Sequence, residues 1–359
     1  MAYTTIDDPS AHFQIKSYTG TGSSLAVTFD GNSNLQPDLV WVKSRTNAYS
    51  HYIYDSNRGV QKKILADTEG AESTLAQGLT AFGSDGMTFG TDAGANESSD
   101  SHVVYGWKAN GGTTSTNTAG TNIDTTVQTN STAGFSIITY TGTGTAGDSA
   151  GHGLGADVHF AAIKARERGT SGQWAIYHKN MHSTPEDYYL RFDAANLPTD
   201  SAATWNDTDP TSSVITFGTG ARVNSSSDNT YVGYIWTGIQ GYSKFGGYTG
   251  NGNADGVFVY TGFKPAFVMQ KRTDSSTDAH WHMFDIKRNR NNVRNIRLEA
   301  NNEFADSTGE GADFLSNGFK WRSNDVRYNG SDNTYVYIAF AEHPFVSSKG
   351  VPCTADGYI

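Results

Sequence analysis

The hexapeptide SDNTYV stands at Ser227–Val232 and again, letter for letter, at Ser331–Val336, and a looser form, SDSHVV, stands at Ser99–Val104. A phrase written three times imposes a repeat architecture on any fold of the chain. It is the last of five landmarks that recur in one order. Each copy opens on Tyr-Thr-Gly, at Tyr18–Gly20, Tyr140–Gly142 and Tyr248–Gly250. An apolar run ending in lysine follows, at Lys43, Lys164 and Lys271. Next comes an aromatic run: HYIYD to Asp55, WAIYH to His178, WHMFD to Asp285. A turn and strand follow at Ser84–Gly90, Ser212–Gly218 and Ser316–Trp321, and the repeated phrase leads to Trp107, Trp236 and Phe340. This order predicts three homologous modules at 13–108, 135–237 and 245–341. Residues 1–12 precede them as a segment free to dock elsewhere, and 342–359 follow as a tail. The stretch 109–134 is rich in Thr, Asn and Gly and nearly uncharged, so it reads as a linker. The junction Thr237–Lys244 is short. Modules two and three are therefore expected in fixed contact, with module one freer.

The runs inside each module are short, β-branched or aromatic, and bounded by Gly, Asn or Asp, which is the signature of strands. In TYVYIAF, Thr334–Phe340, bulky residues point to both faces, so the closing strand is expected to be buried on both sides. Only Gly59–Gln77 hints at a helix. Composition agrees: 40 glycines supply turns, 8 prolines interrupt little, and 19 tyrosines with 7 tryptophans supply core volume. The predicted fold is all-β: three tandem antiparallel β-sandwich modules, jelly-roll or concanavalin-like, with a barrel as the alternative topology.

Function classes narrow by what the residues lack. A net charge of −10 argues against nucleic acid as a partner. Cys353 is the one cysteine, so no disulfide can form within the chain. The opening lacks the basic start and apolar run of a signal peptide, and no run of 18 apolar residues predicts a membrane span. No metal, nucleotide or nucleophile-elbow motif occurs. Gly142–Gly147 meets the spacing of a dinucleotide loop, but no helix pattern follows it. His280 and His282 share one strand face and await a third ligand before they could hold a metal. The acid pairs Glu186/Asp187 and Glu299/Glu303 stand in no recurring motif with an aromatic platform, so glycoside cleavage is not favoured. No catalytic residue, cofactor or metal is assigned. Asp55 and Arg58 recur as Asp285 and Arg288, whereas module two has His178 and Met181; an ion pair or turn clamp is the expected role. Contact residues are proposed in two places. Trp205, in a polar insertion, offers a ring to a ligand, and the basic run Lys287, Arg288, Arg290, Arg294 and Arg297 offers a grip on an anionic surface or a neighbouring subunit.

The opening MAYTTIDDPSAHFQIKSYTGTG, then LQPDLVWVKSR, YDSNRG, FGSDGMTFG and VVYGWKANGG, resembles a repeat domain of virion structural proteins in marine tailed phages, cyanophages above all. The likeness extends to YIAFAEHPFV at Tyr337–Val346 and the text at Val351–Ala355, and departs at HGLGADVHF in module two. It implies a concanavalin-like sandwich per module and no catalytic residues. It implies a non-enzymatic virion protein, a tail fibre or tail-associated component that contributes to host-surface recognition. A capsid-bound decoration protein is the alternative, and a glycan-degrading tailspike a lesser one. The implied partners are other virion proteins, a host surface glycan or outer-membrane component, and copies of itself, a trimer favoured. The implied place is the virion, after assembly in the host cytoplasm.

Overall fold

The computed structural model describes residues 2–169, 171–226 and 229–353. Ser227 and Asp228 of the first SDNTYV, and the end of the tail, lie outside them. The chain is all-β, 42% strand and 4% helix, built of several antiparallel sheets.

The registers place the repeats' landmarks in equivalent positions. In the first repeat the sheet order is Phe13–Thr19, Ser101–Trp107, Leu39–Ser44, Tyr52–Asp55, Lys62–Leu65, Ser73–Thr74. The closing strand thus lies between the opening strand and the lysine strand. The same order recurs in the other two repeats: Phe135–Thr141, Thr230–Trp236, Phe160–Ala165, Ala175–His178, and Ser243–Thr249, Thr334–Pro344, Phe263–Arg272, His282–Asp285. Leu39, Phe160 and Phe267 face Trp107, Trp236 and Phe340 across the ladder. On their other side they face Asp55, His178 and Asp285.

Each of these sheets is buried on both faces, for two different reasons. In the first repeat Val40, Val42, Tyr54 and Val104 point at Val27, Met87 and Phe89 of a smaller three-stranded sheet. Val103, Tyr105 and Trp107 point the opposite way, into a core shared with the other two repeats. The ring of Trp107 lies 6.2 Å from Trp236 and 5.6 Å from Phe340. The first repeat is therefore not free, because it packs on both of the others.

Asn110–Gly134 is not a linker. Ser115–Asn117 and Thr125–Asn130 extend the second repeat's sheet beyond Phe135–Thr141, and Ile123 and Val127 are buried. The threonines that suggested a loop are β-branched and suit the strand edge that Phe135–Thr141 offers. The start of the stretch is fastened as well. The buried Asp38 carboxylate accepts the backbone N–H groups of Ala109, Gly111 and Gly112 at 2.7–2.8 Å. The expected helix within Gly59–Gln77 is absent too: Lys62–Leu65 pairs with Tyr52–Asp55, and Ile64 opposite Ile53 is fully buried. Two four-residue turns, Ala93–Asn96 and Ala202–Trp205, are the α-helical elements among the described residues. The segment before the first repeat is docked on the chain's own third repeat and on the junction that precedes it. Tyr3 Oη donates to the Gly262 carbonyl at 2.9 Å, Thr4 Oγ1 to Gln240 at 2.8 Å, and Ile6 is buried.

The repeated phrase has a packing role. The tyrosine of each opening Tyr-Thr-Gly stacks on the first large side chain of the closing strand: Tyr18 on His102 at 5.2 Å, Tyr140 on Tyr231 at 5.0 Å, Tyr248 on Tyr335 at 4.8 Å. Ser99 and Asp332, at the turn, adopt the left-handed backbone that these short polar residues tolerate. Tyr335→Ala is expected to cost about 3–5 kcal/mol, because it empties a fully packed site and orphans the Gly330 N–H that its hydroxyl accepts. An unchanged urea midpoint would remove Tyr335 from the core.

Candidate functional site

Two buried ion-pair networks lie where repeats meet. Asp55 and Arg58 form an ion pair of 2.5 Å with neither side chain exposed. Arg58 reaches on to Glu72 at 3.0 Å, and Glu72 to Arg166 of the second repeat at 2.8 Å. Tyr234, also of the second repeat, donates its hydroxyl to Asp55 at 2.6 Å. The seam between the third and first repeats is built alike. Asp285 pairs with Arg288 at 2.5 Å, Arg288 with Asp306 at 3.0 Å, Asp306 with Arg45 at 2.8 Å, and Tyr105 donates to Asp285 at 2.8 Å. Burial alone would raise the Asp285 carboxyl, but the Arg288 guanidinium and backbone donors hold it below its ordinary range. The seam between the second and third repeats is different. His178 Nε2 meets the Tyr337 carbonyl at 3.1 Å, Met181 stands in the arginine position, and Ile338 stands where the other closing strands carry tyrosine. Burial lowers His178 to a pKa of about 4, so the ring is neutral and bonds the carbonyl as an N–H donor. The absence of Asp and Arg from module two is thus matched by the absence of the partner tyrosine from module three.

A second pair of equivalent bonds spans two of the three seams. Trp174 Nε1 donates to Leu65 of the first repeat at 2.9 Å, and Trp281 Nε1 to Arg191 of the second at 2.6 Å. Around the centre the aromatic walls leave an apolar cavity of about 30 Å³, lined by Trp41, Trp107, Phe160, Trp236, Phe267 and Phe340 among others. It is smaller than a ligand site and reads as imperfect packing at the point where three repeats meet.

Each repeat also buries its strand-ending lysine. Lys43 donates to the carbonyls of Ser44 and Asn47 at 2.6 and 3.1 Å, Lys164 to Gly172 and Thr68, and Lys271 to Ala279. The acceptors lie mostly in the loops before the aromatic strands, so each ammonium ties down a loop that carries a seam residue. Burial lowers Lys43 and Lys164 to about 8 and Lys271 to about 7. Unfolded lysine titrates near 10.4, so between about pH 7 and 10 the unfolded chain binds more protons than the folded one. Stability is therefore expected to rise with pH through that window. Lys271→Met should flatten the rise by roughly 1 kcal/mol per pH unit between pH 7.5 and 9. Urea titrations of both proteins at three pH values measure the difference, and parallel curves would contradict it.

The residues proposed for contact do not converge. Trp205 is fully buried, donates Nε1 to the Tyr188 carbonyl at 2.9 Å and packs edge-on to Tyr177 at 6.1 Å. Its polar insertion is a short helical turn that folds the ring inward. Arg288 is consumed by the seam. Arg294 is 5% exposed and lies 5.1 Å from the Phe314 ring centroid. Lys287 bridges to Asp30 of the first repeat at 2.8 Å, Arg297 bridges to Glu299 at 3.2 Å, and Arg290 is exposed. A run that looks basic in sequence is divided between interior and surface by the path of the chain. His280 and His282 both turn Nδ1 toward Glu299, at 3.7 and 3.5 Å, with Arg297 on the same carboxylate. The Gly142–Gly147 loop wraps the buried Asn224 amide, whose Oδ1 accepts the Thr143 and Gly144 N–H groups at 2.7 and 3.1 Å. Asn96 and Asn329 do the same for Thr21 and Asn251, at 2.8 and 3.0 Å. Each of these asparagines precedes its SD phrase by two or three residues, a spacing that marks them in the sequence.

The open concavities lie on the outside. At the seam of the second and third repeats, a cleft of about 380 Å³ is lined by Tyr3, His159, Gln240, Lys244, Tyr260 and neighbours. A family described as a domain of unknown function, DUF7483, matches residues 8–344. The chain belongs to that family. The DUF7483 match runs across all three repeats, which accords with buried side chains exchanged between them. No curated protein and no solved structure matches the chain.

Proposed function

We propose that this chain is a non-enzymatic virion structural protein of a tailed phage, a tail fibre or tail-associated component that takes part in host-surface recognition. We infer further that it is three β-sandwich modules closed into a ring within one chain. The observation that carries the structural half is the seam chemistry: its buried Asp–Arg pairs find their partners in the next repeat, so they hold modules together and face no substrate. A ring of this kind is a rigid block suited to assembly, and the aromatic centre resists opening because separation would expose it. The virion half rests on the resemblance of the opening, strand and C-terminal segments to phage virion repeat domains. A homo-oligomer, a trimer included, would form through outer surfaces, because the surfaces that face the centre are occupied within the chain. A cryo-EM map of the whole virion tests the reading. Density on the tail is expected; density on the capsid surface would replace it with a decoration role, and absence from the virion would overturn it. Release of reducing ends from host polysaccharide by the purified protein would overturn the non-enzymatic part.

A further inference from the structure

The geometry points to a saccharide-binding cleft at the outer seam of the second and third repeats, with Tyr260 as the stacking platform; this rests on the recognition role proposed above and gives that role a place. The first support is an internal comparison. Phe258, Val259 and Tyr260 form the strand that ends the third repeat's sheet, pairing with Lys320, Phe319 and Gly318. Val259 faces the core, whereas Phe258 and Tyr260 face out, 42% and 47% exposed. The equivalent positions of the first repeat are the exposed Ala26 and Thr28, whereas those of the second, Ser149 and Gly151, are buried, the latter against Asn117. Packing does not require aromatic side chains there, yet one repeat carries two of them in the open.

The second support is that the ring is held and surrounded by polar groups. The Tyr260 hydroxyl lies 3.1 Å from the Tyr3 hydroxyl, which is itself bonded to Gly262. Lys244 Nζ donates to the Tyr260 carbonyl at 2.7 Å and stands 5.2 Å from the ring centroid. His159 Nδ1 accepts the Gly238 N–H at 2.7 Å, which leaves the proton on Nε2 as a donor on the cleft wall. The Gln240 side chain is exposed at the rim. A pyranose matches this set: one apolar C–H face for the ring, and hydroxyls for an amide, an imidazole N–H and an ammonium. A cleft of about 380 Å³ admits one or two sugar residues.

Saturation-transfer NMR on the full chain tests it, with glucose, galactose, mannose, N-acetylglucosamine and glucuronic acid as separate probes. Transfer to at least one sugar is expected. Tyr260→Ala should weaken it at least tenfold, Tyr260→Phe should retain it, and melting of both variants should match the parent because the side chain is half exposed. No transfer to any of the five, or equal binding by Tyr260→Ala, would overturn the cleft. Binding to a panel of intact marine bacteria reads the recognition role separately. Cell binding that Tyr260→Ala leaves intact keeps recognition and overturns the cleft; sugar binding without cell binding keeps the cleft and overturns recognition.

Discussion

Arg288→Met is expected to destabilise the protein by about 3–5 kcal/mol. The substitution removes one member of a buried ion pair and strands the Asp285 carboxylate, which then keeps only the Tyr105 hydroxyl and backbone donors. The loss extends across the seam, since Arg288 also bonds Asp306, which in turn holds Arg45 of the first repeat. The seam between the second and third repeats shows how the chain lives without this network: His178, Met181 and Ile338 stand at the three positions. The triple change Asp285→His, Arg288→Met, Tyr105→Ile is therefore expected to recover most of what the single change loses. Urea midpoints of the parent, the single and the triple variant decide it. A triple variant less stable than the single one would show that the charged seam is not exchangeable for the apolar one.

Trp107→Ala is expected to cost about 3–5 kcal/mol and to move the melting of the whole chain. Trp107 is 4% exposed and touches Phe13 at 4.8 Å, Phe340 at 5.6 Å and Trp236 at 6.2 Å, rings from all three repeats. The site is walled by strands of three packed sheets, whose ladders resist collapse, so most of the vacated volume would remain empty. One term runs the other way: the indole N–H is buried without an acceptor, so its removal relieves a small penalty. Because the central core is common to the three repeats, a single transition shifted as one unit is expected in both near-ultraviolet circular dichroism and fluorescence. Two transitions, only one of them displaced, would mean that the repeats unfold independently.

Much of the local structure was legible in the residues. The landmark runs became strands in the same order in each repeat, because β-branched and aromatic runs between Gly, Asn and Asp leave the backbone few other choices. The closing strand's two bulky faces correctly announced burial on both sides. The departures share one cause: the path of the chain decides burial, and the polarity of a residue's sequence neighbours does not. Asn110–Gly134 looked like a linker because threonine is polar, yet a strand edge 135–141 was waiting to pair with it. Trp205 looked available because its neighbours are polar, yet its turn folds it under Tyr188. The basic run looked like one patch because charges adjacent in sequence were treated as adjacent in space. Arg288 and Arg294 go inside, Lys287 and Arg297 are half-buried, and Arg290 is exposed.

The recurring order of landmarks and the all-β character are readable from the residues alone. These depend on short-range pattern, and short-range pattern is what a sequence displays. It takes the packed chain to show that the repeats share one core, that Asp55 and Asp285 are answered by tyrosines of a neighbouring repeat, and that Tyr260 stands in the open while Trp205 does not. The seam contacts join faces 100 or more residues apart in the chain, and Trp205 is covered by a residue 17 positions away; in both cases charge and hydropathy carry no mark of the partner.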